Sequence, residues 1–182
     1  MDITILPLKG IQWDNQSVFF GEKKIDVEAK LGIPQEVYEN SYYYFQSNLR
    51  FDFSRNDELE CIEFLGGIMG NVQPIIFGVQ AFQIDADDLY HILEERNSGE
   101  IIDVEGGYSY AFPSIGIGVY REQIPGNLPE FIREVQEAGE NITDNPNIQE
   151  EQLKALHWAT ISVTPSEYHW GDVQSSTYTE LQ

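Results

Sequence analysis

The sequence is short of basic charge, and this shortage limits the partners that the protein can have. Its 10 lysines and arginines stand against 31 aspartates and glutamates, which gives a formal net charge of -21. Such a charge repels the phosphates of nucleic acids and of anionic lipid surfaces, and it attracts cationic partners. We therefore expect no nucleic acid and no membrane as partners, and we expect a basic protein; the alternative is that the acidic charge only keeps the protein soluble.

Cysteine and long apolar runs are also scarce. The single cysteine, Cys61, excludes an internal disulfide and lies in an apolar, strand-like segment, as is typical of a buried thiol in a reducing compartment. No run of about 18 apolar residues is present, and residues 1–5 lack the basic and apolar segments of a secretion signal. We expect a cytoplasmic protein.

Motifs for catalysis or metal binding are missing from the pattern. The histidines His91, His157 and His169 have no i, i+4 spacing and no cysteine partner. Gly116 and Gly118 alternate in a Gly-Ile-Gly segment without the helix start or lysine of a phosphate loop. We expect them either to admit a backbone or a large side chain close to a sheet or to let the sheet bend. The sequence predicts no enzyme, no cofactor and no metal.

Two aromatic-rich segments are the strongest positive signal. Residues 41–53 align without a gap on residues 107–119 after a shift of 66 residues. The large apolar residues coincide: Tyr42 with Tyr108, Tyr44 with Tyr110, Leu49 with Ile115, Phe51 with Ile117 and Phe53 with Val119. Their alternation with smaller or polar residues is the period of a half-buried strand. The sequence therefore predicts two copies of a β-hairpin and an internal duplication.

A short helix is predicted before each hairpin. Apolar residues at helical spacing over residues 22–31 end at Gly32 and Pro34, which are frequent helix terminators. Asp85 is a candidate cap for a second helix, over residues 85–96. A third strand follows each hairpin, over residues 59–65 and, after an insertion, over residues 155–163.

These elements predict an α+β protein of two α-β-β-β repeats that form a curved antiparallel sheet with helices on one face. The predicted organisation is a first repeat with an N-terminal extension (1–67), a connector (68–77), a second repeat (78–163) with an acidic insertion (125–152), and a C-terminal tail (164–182). Within the insertion we expect an amphipathic segment over residues 128–138, followed by an Asn-rich loop that contains Pro146. In the extension, residues 3–8 are predicted as a strand and residues 13–20 as a strand or a loop.

The pattern of two helix-and-meander units resembles the tandem repeat of the β-lactamase inhibitor protein fold, and one unit is similar to the BamE/SmpA lipoprotein domain. The residues that carry this resemblance are the phrase Val-Glu-Ala-Lys-Leu-Gly-Ile-Pro at positions 27–34, then Tyr42-Tyr43-Tyr44 and an alternating strand. The chain lacks the disulfides that those proteins usually carry. The resemblance implies a curved sheet whose open concave face binds another protein.

The high negative charge, together with an open sheet and no catalytic motif, also resembles the immunity proteins of bacterial toxin systems. Many of these neutralise basic nuclease toxins by masking the toxin's active site. This resemblance implies a basic protein partner, namely a toxin domain. A small-ligand-binding domain, or a weak hydrolase, that uses a Tyr-lined cavity between the repeats is the alternative.

Strand alternation selects the candidate binding residues. If Leu49, Phe51 and Phe53 pack under the helices, then Arg50 and Asp52 lie on the open face. Aromatic residues and arginine dominate protein interfaces. The predicted partner-binding residues are Tyr43, Arg50, Asp52, Glu63, Tyr120 and Trp158. For Tyr43 and Trp158, a place in the core or over a sheet edge is the alternative.

Overall fold

The computed structural model describes residues 1–168 and residue 170. Its helices are α1 (Lys24–Leu31), α2 (Ala86–Arg96), α3 (Leu128–Glu137) and α4 (Pro146–Leu156). Its strands are β1 (Asp2–Leu6), β2 (Gly10–Trp13), β3 (Gln16–Phe19), β4 (Glu36–Tyr38), β5 (Ser41–Tyr44), β6 (Leu49–Phe53), β7 (Leu59–Phe64), β8 (Gln73–Ile76), β9 (Val79–Gln80), β10 (Ile102–Asp103), β11 (Ser109–Phe112), β12 (Ile117–Tyr120) and β13 (Thr160–Val163). The predicted α+β class is confirmed. Within these described ranges, no helix is both long and apolar enough to cross a membrane.

The larger sheet has eight strands in the order β10-β11-β12-β13-β7-β6-β5-β4. Every neighbouring pair in it is antiparallel. Strands β4 to β7, which follow α1, form one half of this sheet, and strands β10 to β13, which follow α2, form the other. Pairing of β7 with β13 joins the two halves, so the predicted continuous antiparallel sheet is present.

Each half contains four strands: the predicted three and one more, which for the second half was predicted as an extra short strand over residues 101–104. Strand β4 precedes the first hairpin and β10 precedes the second. The hairpins correspond at a shift of 68 residues and not 66, because β5 and β11 begin at positions 41 and 109 and β6 and β12 at 49 and 117. A difference of two residues leaves every side chain on the same face of a strand. The duplication itself stays a prediction.

A second sheet, which the sequence did not predict, has the order β3-β2-β1-β8-β9. Its centre is a parallel pair in which Ile3 of β1 lies opposite Pro74 of β8. The segment 68–77, predicted as a connector, thus contains β8. The pairing joins segments about 70 positions apart, so local periodicity carried no sign of it.

The core lies between the helices, the smaller sheet and one face of the larger sheet. Alternate residues Leu49, Phe51 and Phe53 of β6 are at most 4% exposed, as predicted. They belong to one continuous apolar cluster with Ile3 of the smaller sheet and Leu89 of α2. Each such side chain contributes roughly 1.5–3 kcal/mol when it is fully buried.

Helices α1 and α2 pack on the same face of the larger sheet. The Lys24 ammonium of α1 lies 5.1 Å from the centre of the Tyr42 ring. Tyr90 of α2 packs edge-to-face on Phe112, with ring centres 5.5 Å apart. The predicted ends of both helices are also observed: Gly32 follows α1 with a φ of 86°, and the Asp85 side chain accepts a hydrogen bond from the Asp87 amide before α2.

The acidic insertion differs from its prediction in its second part. Helix α3 (Leu128–Glu137) confirms the amphipathic segment, but the segment predicted as an Asn-rich loop contains α4 (Pro146–Leu156). Pro146 occupies the first helical turn, where a missing N–H costs nothing, and the Asn145 side chain accepts a hydrogen bond from the Asn147 amide at 2.9 Å. The strand predicted over residues 155–163 consequently begins only at Thr160.

Candidate functional site

The open face of the larger sheet is the side that points away from α1 and α2. Strand registry places one residue of each central strand in a continuous row on this face. Arg50 pairs with Tyr43 on one side and with Glu63 on the other, and Ser162 lies between Glu63 and Gly118. The row crosses the junction of β7 and β13, so both halves of the sheet contribute to one surface.

An ion-pair network occupies the first half of the open face. Arg50 Nη2 lies 2.9 Å from Asp52 Oδ2 and 2.8 Å from Glu63 Oε2. Arg50 Nε donates a second hydrogen bond to Asp52 Oδ2 at 3.1 Å, and the Ser41 hydroxyl donates to Asp52 Oδ1. The three charged side chains are only 20–29% exposed, so water screens these contacts less than it screens ordinary surface pairs.

Burial controls the protonation of this network. Burial raises the pKa of Glu63, against the lowering effect of the Arg50 guanidinium, and the Asp52 carboxylate raises it further. Burial lowers the pKa of Arg50, but the carboxylates of Glu63 and Asp52 outweigh it and the net shift is upward. The arginine therefore stays charged.

Cys61 lies beside the network, opposite Asp52 in the strand pairing. Its side chain is buried, and burial, followed by the negative charge of Glu63, raises the pKa of the thiol well above its usual value. The reactive form of a cysteine is the thiolate. A buried and protonated thiol is a poor nucleophile.

The segment after β13 folds back over the open face. The rings of Tyr168 and Trp170 pack edge-to-face with their centres 5.3 Å apart. Tyr168 lines the same cleft as Arg50 and Glu63. Burial, followed by the electrostatic influence of Cys61 and Glu63, raises the pKa of Tyr168 to about 12. These two aromatic rings roof the centre of the face.

Two glycines permit this close approach. A Cβ added to Gly118 would lie 2.7 Å from Cζ3 of Trp170, and one added to Gly116 would overlap the carbonyl oxygen of Thr164. The prediction that these alternating glycines admit a large side chain or a backbone is confirmed. Gly118 admits the indole of Trp170, and Gly116 admits the Thr164 backbone.

A cleft of about 810 Å³ is lined by the roof and by residues of both halves of the sheet. Four glutamates and one arginine supply its charged walls: Glu58, Glu60, Glu63, Glu167 and Arg50. Its aromatic walls include Tyr120, Tyr168 and Trp170. Thr164 also lines the cleft, and its side-chain oxygen is buried without a hydrogen-bond partner in the described part of the chain.

The structure places most of the predicted binding residues on the open face. Tyr43, Arg50, Asp52 and Glu63 share it by strand registry, and Tyr120 follows Gly118 by two residues in β12. Tyr120 is 37% exposed and lines the cleft. Their role in binding a partner stays a prediction.

Trp158 is the exception: of the two places predicted for it, the core is the observed one and the open face was wrong. Its side chain is 1% exposed, and its indole Nε1 donates a hydrogen bond to the Ala86 carbonyl at 2.9 Å. The Arg121 guanidinium lies 5.1 Å from the ring centre. Because β13 begins at Thr160, strand alternation does not extend back to Trp158, and the residue packs with α2 in the core.

The sequence did not identify four residues of the cleft: Ser162, Thr164, Tyr168 and Trp170 were absent from the predicted site. Tyr168 and Trp170 lie after β13, in the segment that was predicted as a tail. The available signal was Gly118, because a glycine inside a strand often marks the approach of a bulky group. Nothing local indicated that the group would be Trp170.

The histidines do not converge in the described residues. His91 Nδ1 lies 3.2 Å from the Glu94 carboxylate, and His157 Nδ1 lies 3.2 Å from the Ile84 carbonyl oxygen. His169 lies outside the described residues. Across positions 1–168 and 170, no three His, Cys, Asp or Glu side chains lie close enough together to hold a metal ion.

The fold and the site together define the class: an α+β protein whose larger sheet carries an acidic, aromatic-roofed cleft on its open face. Comparisons of the chain with protein-family models, with curated protein sequences and with solved structures found no match. The resemblances to the β-lactamase inhibitor protein fold and to immunity proteins therefore stay predictions.

Proposed function

We propose that the protein is a non-enzymatic binding module for a basic protein and that the open face is its binding surface. The observation that carries this proposal is the charge balance. In the described structure, seven of the ten basic side chains form ion pairs with carboxylates: Lys23, Lys24, Lys30, Arg50, Arg121, Arg133 and Lys154. Most carboxylates have no basic counterpart, so an approaching basic partner meets an attractive field.

The residue types of the open face support its choice as the binding surface. Tyr43 and Tyr120 provide aromatic contact area, and Arg50 is held in a fixed orientation by Asp52 and Glu63. Aromatic residues and arginine contribute most of the energy in many protein interfaces. A preorganised arginine loses little conformational entropy on binding.

For the partner, we propose a basic toxin domain that the protein neutralises by covering its active site. The proposal draws on the resemblance to immunity proteins and on the acidic charge. Steering by opposite charge gives fast association, which a neutralising protein needs. The association rate constant should therefore fall as salt rises.

The test begins with affinity capture from the native host. The tagged full chain, at low salt and with the partner expressed, should retain a basic protein that mass spectrometry identifies. The purified pair should then associate more slowly at 300 mM than at 50 mM NaCl, by roughly tenfold or more. Co-expression should relieve any growth defect that the captured protein causes.

Two variants locate the interface. Tyr120→Ala should weaken the complex by roughly tenfold, since truncating an interface aromatic costs about 1–2 kcal/mol. Ile25→Ala is the matched control, because Ile25 is 73% exposed on α1, on the opposite side of the sheet. Failure to capture any protein, or equal effects of the two variants, would refute the proposal.

Small-ligand binding is the second candidate, and the cleft favours it. A volume of about 810 Å³ lies within the range of roughly 300–1,000 Å³ that ligand pockets occupy. A ligand that binds only the native state raises the melting temperature. A thermal-shift screen of metabolites against the full chain and Tyr120→Ala tests this candidate, which requires a hit that the variant loses.

A further inference from the structure

We infer that the cleft on the open face binds an organic cation, namely a guanidinium or ammonium group. Where that cation is a basic side chain of the partner, the inference rests on the proposed function. Binding of a free organic cation is independent of the proposed function. Four features of the cleft carry the inference: its charge, its aromatic roof, an unpartnered hydroxyl and the occupied state of its arginine.

The charge of the cleft is negative after its internal ion pairs are considered. Glu58 pairs with Lys23 at 2.9 Å, and Arg50 is shared between Asp52 and Glu63. Glu60 and Glu167 form no ion pair within the described residues. Arg50 neutralises only one of its two carboxylates. The other carboxylate, with Glu60 and Glu167, gives the cleft an excess of negative charge in a partly water-excluded space.

The roof supplies a surface that suits an organic cation. Tyr168 and Trp170 meet edge-to-face, and Tyr120 lines the same cleft. The face of an aromatic ring attracts a cation, most strongly for tryptophan, and the attraction grows when water is excluded. An inorganic cation would use little of this aromatic area. The cleft suits an alkylguanidinium or alkylammonium group better, because its carboxylates attract the charge and its aromatic rings contact the apolar stem.

Thr164 is a second and independent sign of a missing ligand group. Its side chain is 0% exposed and lines the cleft, and its Oγ1 has no hydrogen-bond partner in the described part of the protein. A buried hydroxyl without a hydrogen-bond partner is unfavourable, so a group that pairs with it gains from the contact. Guanidinium and ammonium groups carry only donors, and a hydroxyl oxygen can accept from them.

The arginine does not turn the cleft into an anion site. Arg50 already donates to both Asp52 and Glu63, so a bound anion would have to compete with two resident carboxylates. The surrounding glutamates would repel it. The arrangement therefore selects against carboxylates and phosphates and for cations.

The test uses the full chain and a small cationic probe, Nα-acetyl-arginine methylamide. Heteronuclear NMR titration of the backbone amides should show saturable shifts at Gly118 and Ser162, with a dissociation constant on the order of 1 mM or below. The neutral isostere Nα-acetyl-citrulline methylamide, at equal ionic strength, should give none. Spermidine serves as the ammonium probe and should bind at the same amides.

Three variants separate the cleft from general surface charge. Trp170→Ala should weaken probe binding about fivefold or more, and Glu167→Gln about twofold. Glu95→Gln removes the same charge from the exposed surface of α2 and should leave binding unchanged. The inference is overturned if citrulline binds as tightly as arginine, if the shifts map elsewhere, or if Glu95→Gln acts as strongly as Glu167→Gln.

The same variants distinguish this inference from the proposed function. If the captured basic protein and the arginine probe compete, and Trp170→Ala weakens both, the cation is a side chain of the partner. If the probe binds but no protein partner is captured, the cleft takes a free organic cation and the proposed function fails. If a protein binds while neither probe does, the proposed function stands and the inference is wrong.

Discussion

Replacing Arg50 by methionine tests whether the ion-pair network of the open face stabilises the fold. Methionine keeps most of the aliphatic stem of arginine and removes the guanidinium, so the lost packing is small. The variant loses three contacts shorter than 3.2 Å, to the carboxylates of Asp52 and Glu63. It also leaves two partly buried negative charges side by side.

The expected loss can be estimated from these contacts. A hydrogen bond to a charged group contributes about 1.5–3 kcal/mol to stability. Because the network is partly exposed to water, the contacts of Arg50 with Asp52 and Glu63 together contribute less than the sum of such bonds. We expect Arg50→Met to lower the free energy of unfolding by about 2–4 kcal/mol. For a chain of this length, that corresponds to a fall in melting temperature of roughly 5–12 °C.

Arg133 provides a matched control on the surface. It also contacts two carboxylates, those of Glu130 and Glu137, but its side chain is 62% exposed. Exposed pairs of this kind contribute about 0.5 kcal/mol or less. Arg133→Met should therefore leave the melting temperature almost unchanged.

The stability of Arg50→Met should also depend more strongly on pH than that of wild type. Without the guanidinium, burial and Asp52 both raise the pKa of Glu63 and nothing in the network lowers it. A carboxyl group with a raised folded-state pKa contributes stability below its unfolded pKa of about 4.3, and that contribution is lost as pH rises through the folded-state pKa. The free energy of unfolding of Arg50→Met should therefore fall further below that of wild type as pH rises from about 5 to 8.

Urea unfolding at pH 5 and pH 8, followed by circular dichroism, measures these effects. Adding Glu63→Gln to Arg50→Met should restore part of the lost free energy, since it removes one of the two uncompensated charges. A loss below about 0.5 kcal/mol, or a loss equal to that of Arg133→Met, would refute the reasoning.

Two further predictions concern Cys61 and Gly116. Because the pKa of the buried Cys61 thiol is raised, the native protein should react slowly with a thiol reagent at pH 8. Above about pH 9 the free energy of unfolding should fall by up to about 1.4 kcal/mol per pH unit, since the thiol ionises only in the unfolded chain. Cys61→Ala should remove that part of the slope in a pH series of urea titrations, and an unchanged slope would contradict the assignment. Gly116→Ala should cost about 3 kcal/mol, because its Cβ would overlap the Thr164 carbonyl at a φ of 63°. Gly78→Ala is the control: Gly78 has a φ of 87° and open space around it, so the substitution should cost only about 1 kcal/mol. Equal melting temperatures for the two variants would contradict the prediction, because the overlap at Gly116 would then have no energetic cost.

The sequence by itself determined the features that depend on local periodicity. Alternation in β6 assigned Phe51 to the core and Arg50 to the open face, and this held although the hairpins correspond at 68 residues and not 66. The reason is that a strand repeats every two residues, so an even error leaves the faces unchanged. Gly32 and Asp85 ended and capped their helices as predicted, because capping is also a local interaction.

Errors arose where a residue's place depends on where an element begins. Trp158 was predicted within a strand that in fact starts two residues after it, and α4 was predicted as part of an Asn-rich loop, although Pro146 suits the first turn of a helix. Both errors lie in the segment between β12 and β13, where no second copy of the pattern was present as a guide.

Tertiary structure alone decided which distant segments meet. The parallel pairing of β1 with β8 built a second sheet, and the return of Trp170 over Gly118 turned an open face into a roofed cleft. The sequence marked Gly118 as a place where something large approaches, but the partner lies 52 positions further along the chain. Local periodicity specifies the face on which a side chain lies, whereas the group that covers that face is selected by the packing of the whole chain.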